Sequence, residues 1–93
     1  MGLVKLSDNE IDEGLKELNE WTILNGKLHK EIEFGDFDEA WKFMTMAVVE
    51  IQKMNHHPEW FNVYNKLVID LMTHDVGGIS ENDMNLAKFL DKM

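Results

Sequence analysis

"KMNHHPEWFNVYNK", residues 53–66, is the stretch on which the fold turns. Before it, apolar residues recur every three or four positions; after it, they alternate. Pro58 divides the two regimes. Its ring disfavours helical backbone at His57, so a helix arriving from the N-terminal side ends near Asn55. Glu59 to Tyr64 then reads as a strand, Asn65-Lys66 as a turn, and Leu67 to His74 as the returning strand. On that second strand Leu67, Ile69 and Leu71 share one face, and Val68, Asp70, Met72 and His74 share the other.

Upstream, "GDFDEAWKFMTMAVVEIQKMN" (35–55) carries the longest helical pattern. Asp36 can cap it, with Glu39 three residues on. Phe37, Trp41, Met44, Val48 and Ile51 are expected to form its buried face. The opposite stripe is polar except for Val49, with Met46 nearby, and the pair could mark a contact with another subunit. "WTILNGKLHKEIEF" (21–34) reads as a hairpin closed by Asn25-Gly26, because both turn positions tolerate positive φ. Beyond the turn Leu28, Lys30, Ile32 and Phe34 oppose His29, Glu31 and Glu33, so Lys30 is the one misfit on the apolar face and His29 is expected to be solvated.

The chain opens with "LSDNEIDEGLKELNEW" (6–21), a helix pattern with Ser7 and Glu10 spaced as a capping box and Ile11, Leu15 and Leu18 on one stripe. Gly14 weakens such a helix by roughly 1 kcal/mol relative to Ala. At the other end, Gly77-Gly78 makes a turn and Ser80 caps a last helix, with Asp83 at its third position and Met84, Ala87 and Leu90 or Phe89 inward. The resulting order is α-β-β-α-β-β-α. Short connections imply an antiparallel four-stranded sheet, and the alternation implies an α+β fold with three helices on one face and the other face free.

No composition break or repeat divides the chain, so residues 1–93 read as one domain. The absence of cysteine excludes disulfides, thiolate nucleophiles and Cys-ligated metal, and fits a reducing compartment. No apolar run spans a bilayer, no secretory pattern opens the chain, and Leu6 stands where a myristoylation signal needs Ser or Thr. A cytoplasmic or nuclear location is expected. The net charge of −9 argues against direct nucleic-acid binding.

Two of the four histidines, His56 and His57, follow a helix C-terminus, whose partial negative charge favours protonated imidazole. The hairpin should return His74 to their side. Three histidines in one place admit three readings. A catalytic zinc can take three His, yet adjacent residues in a loop converge poorly on one ion and no His-x-x-x-His spacing exists. Ordinary structural histidines, satisfied by backbone carbonyls, are the reading that the spacing alone favours over the other two. Metal-free acid–base chemistry, one ring donating and another accepting a proton, is the third. No serine-nucleophile motif, phosphate loop or dinucleotide fingerprint is present.

"NHHPEWFNVYNKLVIDLMTHDVGGISENDMNLAKFL" (55–90) closely resembles the pterin-4a-carbinolamine dehydratase family, also known as dimerization cofactors of a hepatocyte homeodomain transcription factor. His-His-Pro-x-Trp, Val-Tyr-Asn-Lys, Thr-His and the Ser-x-x-Asp-x-x-Leu-Ala end carry the likeness; "LNEWTI" and "FDEAWKFM" match more loosely, in the right order. The resemblance implies three helices on a four-stranded antiparallel sheet. It also implies a lyase that dehydrates 4a-hydroxytetrahydrobiopterin to quinonoid dihydropterin in tetrahydrobiopterin recycling, without metal or redox cofactor. By position it makes His56, His57 and His74 the acid–base residues and places Asn55, Pro58, Trp60, Thr73 and Asp75 around the pterin. It further implies a homodimer or homotetramer and, by analogy with the animal proteins, a possible transcription-factor partner. Asn55, Gln52 and Met72 depart from residues common in the family, an acid at the first two and a small Ser at the third.

Overall fold

The computed structural model describes residues 2–93; Met1 lies outside them. Helix α1 (Asp8–Leu15) opens with the expected box: Glu10 N–H donates to Ser7 Oγ, and Ser7 N–H to Glu10 Oε1. It is shorter than its pattern. The Asn19 N–H goes to Asp91 Oδ2 at 2.8 Å instead of a helical carbonyl, and Glu20 turns into the left-handed region (φ 60°). Gly14 has a positive use. A Cβ there would lie 2.8 Å from Met84 Sδ, so its absence lets α1 approach the last helix.

Strands β1 (Thr22–Leu24) and β2 (Lys27–Glu33) pair around Asn25-Gly26, whose φ values of 54° and 76° are those the turn requires. Helix α2 (Phe37–Met54) starts under Asp36, which accepts from the Glu39 N–H at 2.9 Å. Strands β3 (Glu59–Val63) and β4 (Lys66–Leu71) follow. Their turn is Tyr64-Asn65, one residue earlier than the sequence pattern places it. Tyr64 takes φ 51°, and the Asn62 amide donates to the carbonyls of Tyr64 and Lys66. A 3-10 turn (His74–Val76) and α3 (Glu81–Asp91) complete the chain.

The sheet order is β1-β2-β4-β3, antiparallel throughout. Leu28, Leu67, Ile69 and Leu71 point from it into a core shared with Ile51, Met84, Leu86 and Leu90, so the helices cover one face, as expected. The packing face of α2 is not the expected one. Ala40, Met44, Ala47 and Ile51 are buried, whereas Phe37, Trp41 and Val48 are 41 %, 58 % and 42 % exposed. Small alanines let the helix sit close against β4 and α3, and the bulky residues are rotated onto its flank, where Phe37 stacks on Trp41. The misfit Lys30 is also explained. Its Nζ lies 5.7 Å from the Trp21 ring centre and donates to Asp91 Oδ1 at 2.8 Å, the same oxygen that accepts from Trp21 Nε1.

Candidate active site

Asn55 ends α2 in the left-handed region (φ 52°), which Asn adopts at modest cost, and the His56 N–H reaches back to the Ile51 carbonyl. This sharp stop sends the two adjacent imidazoles in different directions. His56 turns inward. Its Nε2 lies 2.5 Å from Asp83 Oδ1, on α3. His57 turns outward, donates from Nε2 to Gln52 Oε1 at 2.9 Å, and lines a recess of about 320 Å³ with Val48, Ile51, Gln52, Pro58 and Trp60. Trp60 and Val48 also border an apolar extension of that recess towards Trp41 and Met44.

The returning strand stops at Leu71, so His74 belongs to the 3-10 turn and not to β4. A backbone bridge between Thr73 and Gly78 closes this loop. The His74 side chain is 75 % exposed and sits 3.5 Å from Glu59 Oε2. The other oxygen of Glu59 accepts from Lys27 Nζ at 2.5 Å. That bond chiefly, with a smaller contribution from His74, holds the Glu59 carboxyl below the usual range and raises Lys27 above its own. Thr73 is buried and donates to Asp83 Oδ2 at 2.9 Å, while Asp75 is exposed in the turn.

The topology thus brings residues 55–60 and 73–75 together, through Asp83 for His56 and Thr73 and through Glu59 for His74. The three rings nevertheless take three different partners. Only His57 lines the recess, with Pro58 and Trp60; His56 and His74 are not among its walls. The residue missed from sequence is Asp83. It is fully buried and accepts from His56 Nε2, Thr73 Oγ1 and the Ser80 N–H. As the third residue of a helix it passed for a cap, which it also is. The available signal was its place on the Asp83–Ala87–Leu90 stripe, where a carboxylate faces the core and needs partners.

His29 is not solvated. On the outer face of the sheet its Nδ1 lies 2.8 Å from Asp70 Oδ1 and its Nε2 2.8 Å from Glu31 Oε2, leaving the side chain 12 % exposed. Asp70 first, then Glu31, raise its pKa. Among the described residues no cluster of His, Asp and Glu has the geometry of a metal site.

Three helices on one face of a four-stranded antiparallel sheet, with a His-His-Pro junction leading from helix to strand beside a small recess, define a class of small α+β domain. The chain belongs to the pterin 4 alpha carbinolamine dehydratase family, whose model it matches over residues 4–93. A relative from Solibacter usitatus, whose name provisionally gives it pterin-4-alpha-carbinolamine dehydratase activity, is 56 % identical, covering 96 % of this chain and 94 % of its own. One from Burkholderia pseudomallei, similarly named, is 44 % identical over 96 % of this chain and 90 % of its own. The crystal structure of a transcriptional coactivator/pterin dehydratase from Brucella melitensis superposes with a TM-score of 0.91 at 34 % identity, covering 95 % of this chain and 96 % of that one.

Proposed function

We propose that the chain dehydrates a pterin 4a-carbinolamine, 4a-hydroxytetrahydrobiopterin in the simplest case, to quinonoid dihydropterin. The observation that carries this reading is His57 on the wall of a recess whose other walls are apolar (Val48, Ile51, Pro58, Trp60) and amide (Gln52), in a chain of this family. A flat bicyclic ring packs against Trp60 and Pro58 and finds a hydrogen-bonding group in Gln52. In the reaction the N5–H proton goes to a neutral imidazole, the N5 lone pair forms the C4a=N5 bond, and the 4a hydroxyl leaves as water after protonation by an imidazolium. Hydroxide is a poor leaving group, so the acid is needed, and imidazole changes charge near neutrality. His56, His57 and His74 are the candidates, and Asn55, Thr73 and Asp75 flank them. The reaction is redox-neutral, so the reading calls for no metal and no redox cofactor. It goes with a cytoplasmic protein in tetrahydrobiopterin recycling; among the described residues no helix is long and apolar enough to cross a membrane.

Stopped-flow absorbance with chemically generated carbinolamine tests the reading. Wild type should accelerate dehydration and His57→Ala should lower kcat by about 10²-fold or more. No acceleration over buffer would end it.

A second reading, a protein-binding coactivator, is favoured by the outer flank of α2, where Trp41, Val48 and Val49 are each exposed and Met46 is exposed further round the helix. The same flank, with the free edge of β3, suits a homodimer or homotetramer. Val49→Glu should weaken a partner or subunit contact, read by light scattering and pull-down with the partner in hand, and leave dehydration by the protomer intact.

A further inference from the structure

We propose that the apolar extension of the recess is a subsite for the C6 substituent of the pterin, and that it selects ligands whose C6 arm is alkyl rather than polyhydroxyalkyl. The assignment rests on the dehydratase reading for the identity of the ring, and on the groove itself for the rest. Recess and extension share Val48 and Trp60, so they form one groove along α2. Gln52 and His57 stand at its C-terminal end, Val48 one turn back, and Thr45 and Trp41 beyond. At about 1.5 Å per residue, Gln52 to Trp41 spans about 16 Å of helix, more than a fused bicyclic ring alone fills.

The two ends differ in chemistry. Beside His57 stands the Gln52 amide, whose oxygen accepts from the imidazole and whose NH₂ has no partner among the described residues. Around Trp41 the walls are almost entirely carbon. Met44 is buried beneath, and Thr45 donates its hydroxyl proton to the Trp41 carbonyl at 2.8 Å, so that proton is spent on the helix. Phe37 stacks on Trp41 with ring centres 6.1 Å apart, which steadies the indole although it is 58 % exposed. Apart from His57, no ionisable side chain among the described residues lines either part, in a chain of net charge −9.

A pterin has a matching polarity. Its reacting atoms, N5 and C4a, must face His57, the one imidazole on the groove among the described residues. C6 is bonded to N5 on the side away from the pyrimidine ring. With N5 held at His57, one end of the ring system therefore points towards Gln52 and the other towards Trp41. The pyrimidine end carries a carbonyl, a ring N–H and an amino group, which carbon walls cannot satisfy. It takes the Gln52 end, and the C6 arm runs past Val48 into the extension. An alkyl arm gains there by leaving water, whereas a hydroxyl on the arm leaves water without finding a partner.

Stable dihydropterins test this without turnover, by titration of tryptophan fluorescence. The probes carry no C6 arm, a propyl arm or a dihydroxypropyl arm. The propyl compound should bind about 10-fold or more tighter than the unsubstituted ring and about 10-fold tighter than the dihydroxypropyl compound. In Trp41→Ser, which alters an exposed side chain outside the core, the propyl-to-unsubstituted ratio should fall about 10-fold. Equal binding of the three, no binding of any, preference for the dihydroxypropyl arm, or a ratio that survives Trp41→Ser overturns the subsite. Light scattering on the same variant identifies the rival occupant: an unchanged ratio with a smaller particle gives the groove to a second copy of the chain. Carbinolamine turnover is measured separately. Wild type that binds in the expected order without dehydrating loses the dehydratase reading and keeps the subsite; wild type that dehydrates without the ranking does the reverse.

Discussion

Replacing His29 by Thr should destabilise the protein at mildly acidic pH and cost progressively less as pH rises. His29 stands in the middle of the outer sheet face, with Asp70 opposite on β4, Thr22 opposite on β1, Glu31 two residues along, and the Lys27–Glu59 pair beyond Asp70. Protonated, it donates to both carboxylates at 2.8 Å. The Asp70 bond is shielded and contributes about 1–2 kcal/mol, as hydrogen bonds to charged groups do. Glu31 is 70 % exposed, and solvent screening leaves its bond a few tenths of a kcal/mol. Neutral His29 can donate to only one of them and turns a lone pair on the other. Its folded pKa is raised above the unfolded value of about 6.5. The stabilisation is therefore complete below about pH 6.5 and is lost as pH rises through the folded pKa. Urea unfolding of wild type and His29→Thr, at one protein concentration and several pH values between about 5.5 and 9, gives the difference directly. It should be about 1–2.5 kcal/mol at the acid end, about 4–8 °C in Tm per kcal/mol, and should shrink towards alkaline pH. A difference that is flat, or that grows with pH, would refute the two-carboxylate clamp.

Asp91→Ala removes the acceptor shared by Lys30, Trp21 and the Asn19 N–H and leaves a half-buried ammonium behind; thermal unfolding should show a loss of about 3 kcal/mol or more. Leu67→Ala opens a cavity in a fully buried site and should cost about 2–5 kcal/mol in denaturant unfolding, with the m-value unchanged. Gly26→Ala, at φ 76° with open space around it, should cost about 1 kcal/mol through backbone strain alone; a neutral effect in the same assay would contradict the turn geometry.

Gln52 supplies the amide oxygen that holds His57 Nε2, a contact an ionised glutamate would make with full charge. Replacing Gln52 by Glu should therefore shift the pH dependence of kcat while leaving the fold in place, and a pH-rate profile superposable on wild type would count against His57 as the titrating group.

Local signals were strong enough to settle element order from the chain alone. Asn25-Gly26 dictates its turn because few residues tolerate positive φ, Ser7 and Ser80 mark helix starts through their hydroxyls, and Pro58 disfavours helix at His57. Alternation then assigned the strand faces, and even the misfit Lys30 lay on the face the pattern gave it. What the chain alone could not decide was which helix stripe packs and where each imidazole points. Ala40 and Ala47 are too small to register as core residues, yet close approach of α2 to β4 and α3 selects them over Trp41 and Val48. Whether His56 faces inward depends on Asp83, 27 residues away, and whether His29 is solvated depends on Asp70 across the strand pair. Such contacts join positions distant in sequence, and their existence is a property of the assembled sheet and helices rather than of any local stretch.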